Sequence, residues 1–143
     1  MKEVNVIYWS STGNTQAMAE AVGAGVEEAG GKANVMEVSA ADVSMLKDTD
    51  SFALGASAMG DEELDAEMDD FVTAVEGICA GKTVGLFGSY DWGDGEWMRK
   101  WVDRMTAAGA TVVNGEGLIC QETPDDAMIE ECKNLGKALA ANA

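Results

Sequence analysis

Short apolar runs alternate with segments of helical periodicity along the whole 143-residue chain. This alternation is typical of an α/β fold, in which helices cover both faces of a doubly wound parallel sheet. Because helical crossovers join the strands, we expect parallel pairing and right-handed connections. In such sheets a ligand binds beyond the carboxyl ends of the strands, where the strand order reverses. The apolar runs predict five strands, near residues 3–9, 33–38, 51–56, 82–88 and 111–120.

Four longer helices are predicted between and after these strands. Each of the first three has an apolar stripe and closes at a glycine: Met18 to Val26 before Gly30-Gly31, Leu64 to Val75 before Gly77, and Trp97 to Met105 before Gly109. We expect Trp97 and Trp101 to be core residues. The fourth helix is predicted to begin at Thr123-Pro124-Asp125-Asp126, with Thr123 as its N-cap. A short helix is predicted around Val43–Lys47.

The length of the chain predicts one domain over residues 1–143, large enough to bury about two-thirds of its unfolded surface. Hydrophobic residues make up 47% of the chain and charged residues 24%, as in globular proteins. We find no signal peptide and no apolar run of membrane-spanning length. The expected location is therefore the cytoplasm.

The chain is strongly acidic, with 26 Asp and Glu against 9 Lys and Arg and a formal charge of -17. Nucleic acids and anionic membranes are poor partners for such a chain, because phosphate contacts need clusters of Lys and Arg. No base lies between Lys47 and Lys82. A one-sided acidic face can steer encounters with a basic protein partner. The acids crowded into a single decade of this stretch, residues 61–70, are Asp61, Glu62, Glu63, Asp65, Glu67, Asp69 and Asp70.

The cysteine and histidine content excludes several chemistries. Cys79, Cys120 and Cys132 are odd in number and far apart, which predicts reduced core thiols and neither a disulfide framework nor a zinc site. The chain has no histidine. Hydrolytic chemistry and histidine-metal chemistry therefore lack their commonest residue.

The segment from Ser10 to Thr15, with sequence SSTGNT, links the first strand to the first helix. A loop of small hydroxylated residues and a glycine leaves backbone N–H groups free near the positive end of a helix dipole. This arrangement predicts a phosphate site. Because the loop has no Lys, Arg or His, amide and hydroxyl dipoles alone would hold a stably bound phosphate.

Two further loops follow predicted strands. In the loop after residue 56, Gly60 permits φ > 0 and Met59 offers a soft apolar surface to a flat ligand. In the loop after Gly88, Trp92 lies between polar residues and glycines, so it has few apolar core residues to pack against. A planar heteroaromatic ligand would fit between Met59 and Trp92 while its phosphate reaches residues 10–15.

These three loops together resemble the flavodoxin family, of the short-chain kind, over essentially the whole chain. The matching motifs are Ser10-x-Thr12-Gly13-x-Thr15, Met59-Gly60-Asp61-Glu62 and Tyr90-x-Trp92-Gly93-Asp94-Gly95. The lack of a segment interrupting residues 111–120 is similar to the short-chain type. The resemblance implies a flavodoxin-like sheet with strand order 2-1-3-4-5 and non-covalently bound FMN.

The resemblance also implies where each part of FMN would lie. The phosphate would contact the segment of residues 10–15, assisted by Ser57 and Ser89, and the ring would lie between Met59 and Trp92. Asp91 departs from the family pattern, in which several members have glycine, so the local potential at the ring edge would differ. The implied cofactor-binding residues are Ser10, Ser11, Thr12, Gly13, Asn14, Thr15, Ser57, Ala58, Met59, Gly60, Asp61, Glu62, Ser89, Tyr90, Asp91, Trp92 and Gly93.

The function implied is that of a low-potential one-electron carrier, shuttling between FMN semiquinone and hydroquinone, and not that of an enzyme. Its partners would be basic-faced flavodoxin or ferredoxin reductases and low-potential oxidoreductases, and it would work as a monomer. The alternative is an FMN-dependent NAD(P)H or quinone reductase of similar fold. Such enzymes expose a flavin face to substrate, whereas Trp92 and Met59 would cover both faces here.

Three other phosphate-related interpretations fit the sequence poorly. The segment Gly77–Thr83 resembles a Walker motif but is one residue short and leads into a strand. Phosphorylation receivers would require acids after the first and third strands, where Tyr8-Trp9-Ser10 and Ala56-Ser57 stand instead. Low-molecular-weight tyrosine phosphatases would require a cysteine in the first loop.

Overall fold

A parallel β-sheet is the centre of the computed structural model, which describes residues 3–10, 13–58, 63–90 and 95–142. The strands are β1 (Glu3–Trp9), β2 (Lys32–Glu37), β3 (Ser51–Ala56), β4 (Thr83–Tyr90), β5 (Thr111–Val112) and β6 (Leu118–Gln121). Within these residues the strand order is β2-β1-β3-β4, and β5 and β6 both pair with β4 on its other side. All of these pairings are parallel. The predicted order 2-1-3-4-5 is therefore confirmed.

Helices cover both faces of this sheet. They are α1 (Asn14–Glu28), α2 (Ala66–Val75), α3 (Glu96–Ala107) and α4 (Asp126–Ala141), with short 3-10 helices at Val38–Ala40, Val43–Leu46 and Val113–Gly115. Apolar residues of α1 and α4 form one buried cluster with Val4 and Val6, whereas those of α2 and α3 form another with Ile7 and Phe52. Alternate residues of β1 thus face opposite layers, as the pleat requires. No helix in the described residues is long and apolar enough to cross a membrane.

The prediction of one continuous strand over residues 111–120 is wrong. β5 ends at Val112, opposite Val84, and β6 begins at Leu118, opposite Phe87. Five residues, 113–117, therefore stand opposite two residues of β4. The chain turns there through Asn114 and Gly115, which have φ values of 63° and 72°, and an extended strand cannot contain such values.

The predicted start of the last helix is also wrong. Asp125, and not Thr123, is the N-cap of α4, and its carboxylate accepts a hydrogen bond of 2.8 Å from the Met128 amide. Pro124 therefore precedes the helix and does not lie in its first turn. A carboxylate interacts with the positive end of the helix dipole more favourably than a neutral hydroxyl does.

Close contact between α1 and α4 holds one helical layer together. A Cβ on Gly25 would overlap the carbonyl oxygen of Lys133, and a Cβ on Gly136 would overlap the carbonyl oxygen of Val22. The two helices can therefore approach this closely only because both positions lack a side chain. This contact matters for the ligand site, because α1 begins at the carboxyl edge of the sheet.

We expect Gly136→Ala to destabilise the protein, although alanine is the better helix former by about 1 kcal/mol. The new methyl group would force the two backbones apart, and overpacking of this kind costs about 1–3 kcal/mol or more. Denaturant unfolding measures the change. Gly77→Ala is the matched control, because its nearest neighbour would be an ordinary 3.5 Å contact. An equally stable Gly136→Ala variant would contradict the packing described here.

The three cysteines are free and buried, as predicted. Trp97 and Trp101 are also core residues, with 2% and 1% of their surface exposed. Burial, with smaller contributions from Cys120 and Glu131, raises the pKa of the Cys132 thiol to about 12. The folded protein therefore keeps this thiol neutral at pH values where the unfolded chain ionises it.

A pH dependence of stability follows from the Cys132 thiol. In the unfolded chain a cysteine ionises near a pKa of about 8.5. The contribution of this thiol to the free energy of unfolding is therefore complete below that pH and is lost as the pH rises towards the folded pKa of about 12. Urea unfolding from pH 8 to 11 measures the free energy of unfolding, which should fall more steeply with pH for the natural chain than for Cys132→Ala. Parallel curves for the two proteins would contradict the buried neutral thiol.

Candidate functional site

The carboxyl ends of β1, β3 and β4 bring polar residues together at one edge of the sheet. Ser10 follows β1, Ser57 follows β3, and Ser89 lies near the end of β4. The Ser57 amide donates to the Trp9 carbonyl at 3.3 Å, and the Ala58 amide donates to the Ser89 carbonyl at 3.0 Å. The three strand ends are thus tied to one another by main-chain hydrogen bonds.

The turn from β1 into α1 is closed by the side chain of Ser10. Its Oγ accepts a hydrogen bond of 3.0 Å from the Gly13 amide. Gly13 has a φ of 92°, which side chains disfavour, although a Cβ there would meet none of the described residues within 4 Å, its chain neighbours aside. Backbone conformation therefore explains the glycine.

Within the described residues, no side chain caps the amino end of α1. By contrast, Asp65 caps α2 and Asp125 caps α4 with their carboxylates. The amides of the first helical turn, at residues 14–16, have no partner inside the helix. Together with the helix dipole they favour an anion at this end.

Two buried hydroxyl groups meet directly beneath this helix end. Thr15 Oγ1 and Ser57 Oγ are 2.8 Å apart, and the two residues are 0% and 5% exposed. The Ser89 amide also donates to Thr15 Oγ1, at 3.2 Å. The pair has two hydroxyl hydrogens, and their mutual bond uses one of them. The other is a buried donor available to a ligand.

Ser89 connects the members of this group to one another. Its amide donates to Thr15, its carbonyl accepts from the Ala58 amide, and its Oγ donates to the Glu122 carbonyl at 3.0 Å. Its hydroxyl hydrogen is therefore already used inside the protein. A contact between Ser89 and a phosphate stays a prediction, and the geometry favours a supporting role for this residue.

Tyr90 lies where the chain enters the third predicted loop. Its ring packs against Trp97 with centroids 5.5 Å apart and an interplanar angle of 52°.

The remaining predicted site residues lie outside the described part of the chain, so their placement stays a prediction. They are Ser11, Thr12, Met59, Gly60, Asp61, Glu62, Asp91, Trp92 and Gly93.

The helices that follow the second and third loops are joined by Arg104 on α3. Its guanidinium contacts Asp69 at 2.6 Å and Glu76 at 2.9 Å, both on α2. Burial opposes its charge, but hydrogen bonds to these two carboxylates outweigh burial and raise its pKa. The two helices, and with them the ends of both loops, are thereby held in a fixed relation.

Two carboxylates act on Tyr8, near the carboxyl end of β1. Burial, followed by the charges of Glu37 and Glu20, raises the pKa of Tyr8, two residues before Ser10.

The Walker-type segment lies elsewhere, at the amino end of β4. Its Lys82 donates to the carbonyl oxygens of Lys47 and Thr49, so this lysine serves a structural purpose.

Sequence reasoning missed two contributors to the site. Gln16 offers a first-turn amide, and this could have been found by extending the loop one residue into the helix. Glu122 binds Ser89 through its carbonyl and Tyr90 through its amide, at 2.8 Å. No sequence signal marked it, because its part in the site belongs to its main chain.

Known proteins are similar to this chain in sequence and in fold. A family model described as Flavodoxin matches residues 6–136. The chain is 43% identical over 138 residues to the flavodoxin of Clostridium beijerinckii, covering 96% of this chain and 99% of that protein. It is 44% identical over 138 residues to the flavodoxin of Megasphaera elsdenii, covering 96% and 98%. The solution structure of two-electron reduced Megasphaera elsdenii flavodoxin matches with a TM-score of 0.85 at 43% identity, covering 96% of this chain and 98% of that chain.

The sheet order and the polar edge at β1, β3 and β4 define an α/β domain of the flavodoxin-like fold. With the family match and the two relatives, the chain belongs to the flavodoxin family. It is an FMN-binding electron-transfer protein, and not an enzyme that turns over a substrate of its own.

The described residues fit the phosphate end of FMN. A phosphate offers only acceptors once ionised, and this edge offers uncapped amides and the spare hydroxyl hydrogen of the Thr15–Ser57 pair. None of these donors carries a charge. The sequence-based expectation of a phosphate held by dipoles alone is consistent with this geometry.

We expect Thr15→Val to raise the Kd for FMN about 10- to 100-fold, because a hydrogen bond to a charged group is worth about 1.5–3 kcal/mol. Riboflavin, which lacks the phosphate, should bind the variant and the natural chain with similar affinity. Fluorescence titration with both ligands measures the two effects. Thr106→Val, on an exposed part of α3, is the control. Equal weakening of both ligands would place the phosphate elsewhere.

Proposed function

We propose that this chain carries single electrons at low potential between redox enzymes, with FMN bound at the carboxyl edge of the sheet. The observation that carries the proposal is the buried hydroxyl pair of Thr15 and Ser57 beneath the uncapped end of α1. Bound FMN would supply the redox chemistry. The chain would supply anchoring, orientation and electrostatic tuning.

Two sets of residues would hold the cofactor. Ser10, the amides of residues 11–16, and the Thr15–Ser57 pair would hold the phosphate. The loops at residues 58–62 and 90–93 would hold the ring, with Met59 against one face and Trp92 against the other. Support for the ring end comes from the sequence motifs, and from the Arg104 contacts that join the helices after both loops.

Negative charge would set the potential. The chain has a formal charge of -17, and no cation is available from the loop that would bind the phosphate. Added electrons would increase the negative charge of the cofactor, and like charges in a partly dry site raise the free energy of the reduced form. A low potential follows from this electrostatic cost.

The same acidity would select the partners. We propose basic-faced reductases and low-potential oxidoreductases, which would approach the acidic cluster from Asp61 to Asp70. We also propose a single domain that works as a monomer in the cytoplasm. The three free thiols support a reducing compartment.

The proposal is tested by adding FMN to the purified protein and following electron transfer from an NADPH-dependent flavodoxin reductase. We expect the protein to take up FMN, to oxidise no NAD(P)H by itself, and to accept electrons at a rate that falls steeply with added salt. Rapid NAD(P)H oxidation without the reductase would contradict the carrier function. Rates independent of salt would contradict the docking proposal.

A matched pair of variants locates the docking face. Glu63→Gln with Glu67→Gln removes two exposed charges beside the carboxyl edge, whereas Asp48→Asn with Asp50→Asn removes two exposed charges near the amino end of β3. We expect the first variant to lower the association rate several-fold and to flatten its salt dependence. The second variant should leave the association rate and its salt dependence unchanged. Equal effects from both variants would indicate non-specific attraction only.

A further inference from the structure

Glu122 adopts a backbone conformation that its side chain does not favour. Its φ is 61°, in the left-handed region that glycine and asparagine tolerate best. The side chain is exposed, so burial gives no reason for a glutamate in this conformation. A strained backbone that persists in a folded protein is held there by its surroundings, and such strain concentrates at functional sites.

Two hydrogen bonds hold the main chain of Glu122 to β4. Its amide donates to the Tyr90 carbonyl at 2.8 Å, and its carbonyl accepts from Ser89 Oγ at 3.0 Å. Glu122 directly follows β6, whose last residue pairs with Tyr90. The left-handed turn therefore folds the chain back over the end of β4.

These two bonds extend towards both ends of the proposed FMN site. The bond to Ser89 connects Glu122 to the phosphate end, because the Ser89 amide donates to Thr15 Oγ1. The bond to Tyr90 connects Glu122 to the ring end, because Tyr90 precedes the loop at residues 91–94 in the sequence. A change in the turn at Glu122 would therefore disturb the phosphate end and the ring end together.

We infer that Glu122 is a positioning residue for FMN, acting through its left-handed main chain, which fixes Ser89 and Tyr90, and not through its carboxylate. This inference rests on the proposed position of FMN at the carboxyl edge. It assigns a role to a residue outside the three family motifs. The role depends on φ, so the residues that tolerate this φ should preserve it.

A series at position 122 tests the inference. Glu122→Gly and Glu122→Asn permit the left-handed conformation and remove the charge, so the Kd for FMN should stay within twofold of the natural chain. Glu122→Val is β-branched and excluded from that conformation, so its Kd should rise at least tenfold. Glu122→Ala should lie between them, and it keeps the test usable if the valine variant does not fold.

Asn114→Val is the matched control. Asn114 is the other non-glycine residue with positive φ among the described residues, at 63°, and it lies in the turn between β5 and β6. The same substitution there should lower the free energy of unfolding while leaving the Kd and the reduction potential of bound FMN unchanged. Glu122→Val and Glu122→Ala should change both properties of the cofactor.

Two results would overturn the inference. One is a Glu122→Gly variant that binds FMN tenfold more weakly, because the carboxylate would then be the active group. The other is a folded Glu122→Val or Glu122→Ala variant with unchanged affinity and potential. Failure of the natural chain to bind FMN would instead refute the proposed function itself, so the two failures are distinguishable.

Discussion

The proposed FMN site depends on one constraint, which is that its phosphate would be held without a cation. An uncharged site needs several donors aimed at one place, because each neutral hydrogen bond contributes little alone. The parallel sheet supplies that convergence: Ser57 follows β3 and Thr15 lies in the first turn of α1, and their hydroxyls meet 2.8 Å apart. The close packing of α1 on α4 then fixes the helix that carries the first-turn amides.

The hydrogen bonds around Ser89 extend this constraint to the rest of the edge. Ser89 uses its amide, carbonyl and hydroxyl hydrogen within the protein, joining Thr15, Ala58 and Glu122. The phosphate end is therefore connected to the strands that lead towards the ring. Leaving the site uncharged also has an electrostatic consequence, because a bound phosphate adds its own negative charge to that of an acidic chain.

The order of the sheet was predictable because it rests on a local pattern, apolar runs between helical periods. The phosphate loop stays a prediction, based on small hydroxylated residues before a helix. The break in the fifth strand was not predictable, because Asn114 takes its positive φ from a local turn that an apolar pattern does not reveal. Thr123 looked like a helix cap, but the helix begins two residues later, where the carboxylate of Asp125 accepts from the Met128 amide. Glu122 was missed because its contacts are made by the main chain.

The central claim is that uncharged groups at the amino end of α1 hold the FMN phosphate. The most direct measurement is a nitrogen-15 NMR titration of the apoprotein, once with FMN and once with riboflavin. We predict that the amide resonances of Asn14, Thr15 and Gln16 shift strongly with FMN and little with riboflavin, whereas the Tyr90 resonance shifts with both. Equal shifts of the three helix amides with the two ligands, or none with FMN, would contradict the account.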